Sequence, residues 1–106
     1  MLNAVTVVGR INYIYVEDNI LEIKCIKTLY KDNVENGEEE IYIPVMLSNS
    51  IMERTKQYCD INDIVGVKGW LKNRDEKLIV MADKLTFLAS TKGTNEEGGE
   101  EDVNRE

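Results

Sequence analysis

Apolar residues recur at every second position through most of residues 1 to 92, a period that fits strands with one buried face. The run "MLNAVTVVGRINYIYV" is rich in valine, isoleucine and tyrosine and reads as a first long strand. In residues 20 to 30, "ILEIKCIKTLY", Leu21, Ile23 and Cys25 alternate with Glu22 and Lys24, and the phase then shifts at Ile26, as a bulge would allow. In residues 39 to 47, "EEIYIPVML", Ile41, Ile43, Val45 and Leu47 share one face, and the Asn36-Gly37 pair before them predicts the turn of a hairpin. Pro44, the only proline, has no N–H for a neighbouring strand and belongs at an edge or an irregularity of the third strand.

The period breaks at "SNSIMERTKQYC". Ser50 followed by Glu53 has the spacing of a capping box, and Ile51, Thr55 and Tyr58 fall on one side of a short amphipathic helix reaching about residue 59. The strand period returns in "DIVGVKGWL" and "LIVMADKLTFL", joined by the polar turn "KNRDEK". Three strands, one helix and two strands predict an all-β fold, a five-stranded OB-fold barrel with one short helix between strands 3 and 4. Another small antiparallel barrel with an incidental helix is the alternative, whereas a parallel βαβ sheet would need a helix after nearly every strand.

A chain of 106 residues with 42% apolar content suits one modest core. Residues 1 to 92 form the expected domain. Residues 93 to 106, "GTNEEGGEEDVNRE", carry six acids against Arg105, a net of −5, with Val103 the only branched apolar side chain. Such a segment cannot offset the entropy of ordering it and reads as a disordered acidic tail, either solubilising or available to a partner. No apolar run spans a bilayer, and no secretory leader pattern opens the sequence, so the expected setting is the cytoplasm, with no membrane partner. Cys25 and Cys59 lack the spacing of metal or redox pairs and are expected as buried free thiols.

Trp70, the only tryptophan, lies between Lys68 and Lys72 at alternate positions of the fourth strand. If Val65, Val67, Gly69 and Leu71 face the barrel interior, the indole points outward between two cations. That pattern suits a surface for single-stranded nucleic acid, with bases stacking on the ring and ammonium groups following the phosphates. It equally suits a ring packed under the tail, against a neighbouring strand or in a subunit interface. Tyr30 and Lys24 share a parity in the second strand, Tyr42 has the parity opposite to Ile41 and Ile43, and Arg74 joins Lys72 near the last turn. A sheet face with Tyr30, Trp70 and Tyr42, edged by Lys24, Lys68, Lys72 and Arg74, would make a stacking platform. Tyr13, Tyr15, Tyr58 and Phe87 are assigned to the core or an interface.

An enzyme is a poor fit. The chain has no histidine, phosphate loop, nucleophile elbow or metal-ligand cluster, so no catalytic residue, metal or cofactor is expected. The competing readings are a non-catalytic binder of single-stranded DNA and an OB-fold protein-interaction or primosome-type module with little DNA binding of its own. Without the tail the net charge is −2, from 14 acids and 12 bases, which permits a locally basic face. Glu38, Glu39 and Glu40 weaken that face, so modest affinity with marked salt sensitivity is expected.

The opening "MLNAVTVVGRI", the fourth-strand run "IVGVKGWLKNR" and the last-strand run "ADKLTFL" resemble the bacterial-type single-stranded DNA-binding proteins. With "IPVMLSNSIMERTKQYC" in the place of the third strand and helix, the resemblance covers roughly residues 1 to 88. It implies an OB-fold that binds single-stranded DNA without sequence preference in replication, recombination and repair, at the nucleoid, as a homotetramer. The resemblance also makes Arg10 and Arg74 phosphate contacts and puts Tyr30 where an aromatic commonly ends the second strand. Ile41 and Leu47 stand where the family commonly has aromatics, and Trp70 where it more often has a polar or basic residue. The family's acidic tip closes with an apolar pair that docks replication or repair proteins, whereas this sequence closes with "DVNRE". The long apolar first strand gives a separate reason to expect a homo-oligomer, because an exposed strand edge of that kind needs a cover.

Overall fold

The computed structural model describes residues 2–90, and the predicted acidic tail lies outside the described residues. Five strands, β1 (Val5–Tyr15), β2 (Ile20–Lys31), β3 (Val34–Met46), β4 (Ile64–Arg74) and β5 (Lys77–Ala89), form a closed barrel in the order β1-β2-β3-β5-β4. One helix, α1 (Asn49–Tyr58), connects β3 to β4. This is the fold class and element order expected from the period of the sequence. No helix among the described residues is long and apolar enough to cross a membrane.

β1 closes the barrel by serving two partners. Val5 to Arg10 pair with β4, and Arg10 to Tyr15 pair with β2. The register between β1 and β2 slips between Ile11 and Tyr13, leaving Asn12 as an extra residue, and such a bulge bends the strand from one partner to the next. The loop after α1 is fastened at the same place, with Ile11 N donating to the Asp63 carbonyl and Asn62 N donating to the Ile11 carbonyl. Alternate side chains of the strands then meet inside: Val7 and Ile11, Leu21 and Ile23, Val65 and Val67, with Val45, Leu47 and Val80.

Several local features differ from the sequence reading. The β2–β3 hairpin turns at Asp32 and Asn33, both at positive φ, the backbone of a two-residue type I′ turn. Asn36 and Gly37 lie inside β3. The register steps from Thr28 opposite Glu38 to Tyr30 opposite Glu35, so Asn36 and Gly37 together face Leu29, and Gly37 takes the positive φ of this bulge. No slip occurs at Ile26. β2 stays in register there and has left the barrel, so Ile26 is simply exposed. Pro44 keeps its place opposite Glu22, and the other edge of β3 is paired only at Val45 and Met46, so an open edge accommodates the missing donor.

The helix cap is Ser48 rather than Ser50, its hydroxyl accepting the Ile51 N–H at 3.2 Å. The buried stripe is Met52, Thr55 and Cys59, one step round from the expected Ile51, Thr55 and Tyr58, and Tyr58 is 69% exposed. Both stripes have helical spacing, and docking of the helix against the barrel selects between them. Tyr13 and Tyr15 also lie outside the core, their rings 4.7 Å apart, while Phe87 packs against it. Both cysteines are free, Cys59 buried and Cys25 only half-buried where β2 departs from the barrel.

Candidate nucleic-acid interface

β3 and β5 run parallel and pair only at Val45 with Val80 and Met46 with Met81. Before those pairs the two strands belong to different hairpin arms, and a cleft of about 300 Å³ separates them. Tyr42, Ile43 and Pro44 line it from β3, Leu71, Leu78 and Ile79 from the β4–β5 hairpin, with Val5, Val7 and Val80 completing the lining. The lining is apolar apart from the Tyr42 hydroxyl. That hydroxyl donates to Glu40 Oε1 at 2.7 Å, and the bond to a carboxylate holds the phenol proton and raises the tyrosine above its usual pKa. Leu78 is 60% exposed here, an apolar side chain left facing solvent.

Cations flank both walls. Lys24 stands directly opposite Tyr42 across β2 and β3, and residues opposed in this way share a face. Arg10 stands opposite Lys24 on its other side, so one row crosses three strands as Arg10, Lys24, Tyr42. The Arg10 guanidinium gives one N–H to the Asn62 carbonyl at 2.9 Å, which fixes the direction of its fork. On the other wall Lys72 stands opposite Ile79, and Arg74 opposite Lys77 beside the turn. Like charges directly opposed across strands repel. Among the described residues no ion pair neutralises Arg10 with Lys24 or Arg74 with Lys77.

Of the residues singled out in the sequence, Tyr42 lines the cleft, Lys24 stands opposite it and Lys72 stands opposite the lining residue Ile79. Arg10 lies one strand beyond Lys24, and Arg74 two positions beyond Lys72. Lys68, Trp70 and Tyr30 do not line it. Trp70 is 39% exposed opposite Met81, and Lys68 lies between Thr6 of β1 and Lys84 of β5. Tyr30 is 67% exposed near the far end of the β2–β3 hairpin, opposite Glu35. The sequence reading missed Pro44, Leu71 and Leu78 as site residues. Parity points Leu71 to the interior, and the one sequence signal for Leu78 is its position beside a polar turn.

No protein-family model matches this sequence, and no curated protein matches it. Solved structures do match it. The Plasmodium falciparum SSB in complex with ssDNA is similar over 83% of this chain and 96% of its own, with a TM-score of 0.63 at 14% identity. The mitochondrial single-stranded DNA binding protein of S. cerevisiae is similar over 87% of this chain and 99% of its own, with a TM-score of 0.57 at 16% identity. A deletion mutant of the single-stranded DNA binding protein from Thermus aquaticus reaches 0.64 at 18% identity, over 85% of this chain and 52% of its own. At these identities the likeness is one of fold.

Proposed function

We propose that this chain is a non-catalytic protein that binds single-stranded DNA without sequence preference, and that the strand lies in the cleft between the two hairpin arms. The observation that carries this reading is the chemistry of the cleft. Its walls are apolar, and cations stand opposite a lining residue on each side, Lys24 opposite Tyr42 and Lys72 opposite Ile79. Unpaired bases offer flat apolar faces with a regularly charged backbone alongside, which matches both features. Duplex DNA keeps its bases stacked inside and offers the walls nothing to cover. The one hydrogen-bonding side chain in the lining is Tyr42, whose proton is committed to Glu40, so the walls have little with which to read base edges.

Arg10, Lys24, Lys72 and Arg74 act as phosphate contacts and Tyr42 as the stacking ring. The fold likeness supports the reading, since the similar structures belong to proteins that bind single-stranded DNA. A role in replication, recombination and repair, at the nucleoid and as a homo-oligomer, a tetramer by the family resemblance, belongs to the same proposal. Filter binding with single-stranded and duplex DNA of equal length tests it. Preference for the single strand is expected; equal affinity for both, or none for either, would sink the idea.

A further inference from the structure

Tyr13 and Tyr15, near the end of β1, are exposed aromatic residues that belong neither to the core nor to the cleft lining. Their rings lie 4.7 Å apart at a tilt of 56°, so each braces the other. Aromatic side chains held in this way lose little further freedom when a ligand covers them.

The strand ladder places this pair on the face that carries the cations of the cleft. The slip at Asn12 sets Tyr13 directly opposite Glu22, and Glu22 stands opposite Pro44, a lining residue of the cleft. Directly opposed residues share a face, so Tyr13 lies two strand spacings, about 10 Å, from Pro44 along one rung. The neighbouring rung on the same face is Arg10, Lys24 and Tyr42. The acids are placed differently. Glu22 accepts from Asn12 Nδ2 at 2.7 Å, which ties its carboxylate to β1, and Glu17 and Asp18 lie in the turn that follows Tyr15. A polyanion is therefore attracted on the Arg10 side of the two rings and repelled on the other.

We propose that Tyr13 and Tyr15 form a second stacking subsite for single-stranded DNA that leaves the cleft past Pro44, with bases over the two rings and backbone over Lys24 and Arg10. The inference rests on the DNA-binding reading and extends the path of the strand from the cleft across β3 and β2 to β1. It gives Arg10, one strand beyond Lys24, a phosphate to hold. Glu17 and Asp18 end the path at the tyrosines, because a backbone carried further along β1 would meet their charge.

Anisotropy of labelled oligo-dT from about 4 to 16 nucleotides, the span of site sizes for one such fold, tests the subsite. Tyr13→Ala with Tyr15→Ala should weaken binding of the longest strands by about tenfold and change the shortest little, with the salt slope of both preserved. Tyr13→Phe with Tyr15→Phe should keep the long-strand affinity, because stacking needs the ring and not the hydroxyl. Circular dichroism melting identifies an alanine variant that fails to fold. Ultraviolet crosslinking of the wild-type chain to oligo-dT bearing 5-iodouracil then decides: an adduct on Tyr13 or Tyr15 supports the subsite, and none on either overturns it. Equal affinities of wild-type and alanine proteins at every length overturn the subsite and leave the cleft reading in place. An alanine variant whose sedimentation mass without DNA differs from wild type puts the rings between copies of the chain, which also overturns it. No binding at any length sinks the DNA-binding reading, and the subsite with it.

Discussion

Lys72 stands directly opposite Ile79, so a cation and a lining residue of the cleft share one rung of the β4–β5 hairpin. Lys24 and Tyr42 repeat the arrangement on the facing arm. In each case the strand ladder itself holds a cation at a fixed offset from an apolar wall, without dedicated side-chain hydrogen bonds.

The two members of such a rung should separate in a salt titration. Lys72→Ala should weaken oligo-dT binding modestly and make the dependence of log affinity on log salt shallower by roughly one unit, the signature of one lost phosphate contact. Tyr42→Ala should cost about 1–3 kcal/mol of binding with the slope nearly unchanged, because stacking releases no counterions. A reversed pattern would show that the ring positions the backbone and the lysine contacts bases.

Gly69 should tolerate no side chain. A Cβ there would overlap the Met81 carbonyl, where the β4–β5 register slips between Lys68 and Gly69. Gly69→Ala should lower stability by about 1–3 kcal/mol through forced backbone displacement. At Gly66 the nearest atoms to a Cβ are Leu88 Cδ1 at 3.5 Å and Val8 Cγ2 at 3.8 Å, ordinary contacts. Gly66→Ala should stay within about 0.5 kcal/mol of wild type. Urea denaturation with a common m-value measures both, and equal midpoints for the two variants would refute the close approach.

Ser48→Ala should cost about 1 kcal/mol by removing the acceptor for the Ile51 N–H at the start of α1. Ser50→Ala removes only a 3.3 Å contact between the Ser50 and Ser48 hydroxyls and should be close to neutral. Thermal midpoints in the opposite order would return the cap to Ser50.

Burial, with Asp63 and Asp60 nearby, pushes the Cys59 thiol from 9.0 up to about 11. A raised folded value means that the unfolded chain loses this proton first. The contribution to stability is complete below pH 9.0, declines as pH rises, and is gone above about 11. Cys59→Ala should therefore flatten the alkaline decline in urea stability over that window, whatever its effect at neutral pH. An unchanged decline would mean that the thiol titrates alike in both states.

The period-two pattern was enough to determine five strands, one helical break and their order, because each strand must bury alternate side chains and each reversal needs turn residues nearby. It also gave the outward parity of Lys24, Tyr42, Lys68 and Trp70. The Asn36-Gly37 pair illustrates where local chemistry stops: the same preference for positive φ serves a turn or a bulge, and pairing with β2 selected the bulge at Gly37. Likewise Ser48 and Ser50 are equally good caps by residue type, and the start of the helix was decided by where β3 ends.

The composition of the site was decided only by closure of the barrel. Parity assigns a side chain to a face of its own strand, but it carries no information about which strands diverge. The parallel contact between β3 and β5 ends after two pairs, and that divergence brings Tyr42 and Pro44 together with Leu71 and Leu78, which are distant in sequence. Register, a property of two segments at once, sets Tyr30 opposite Glu35 and Trp70 opposite Met81.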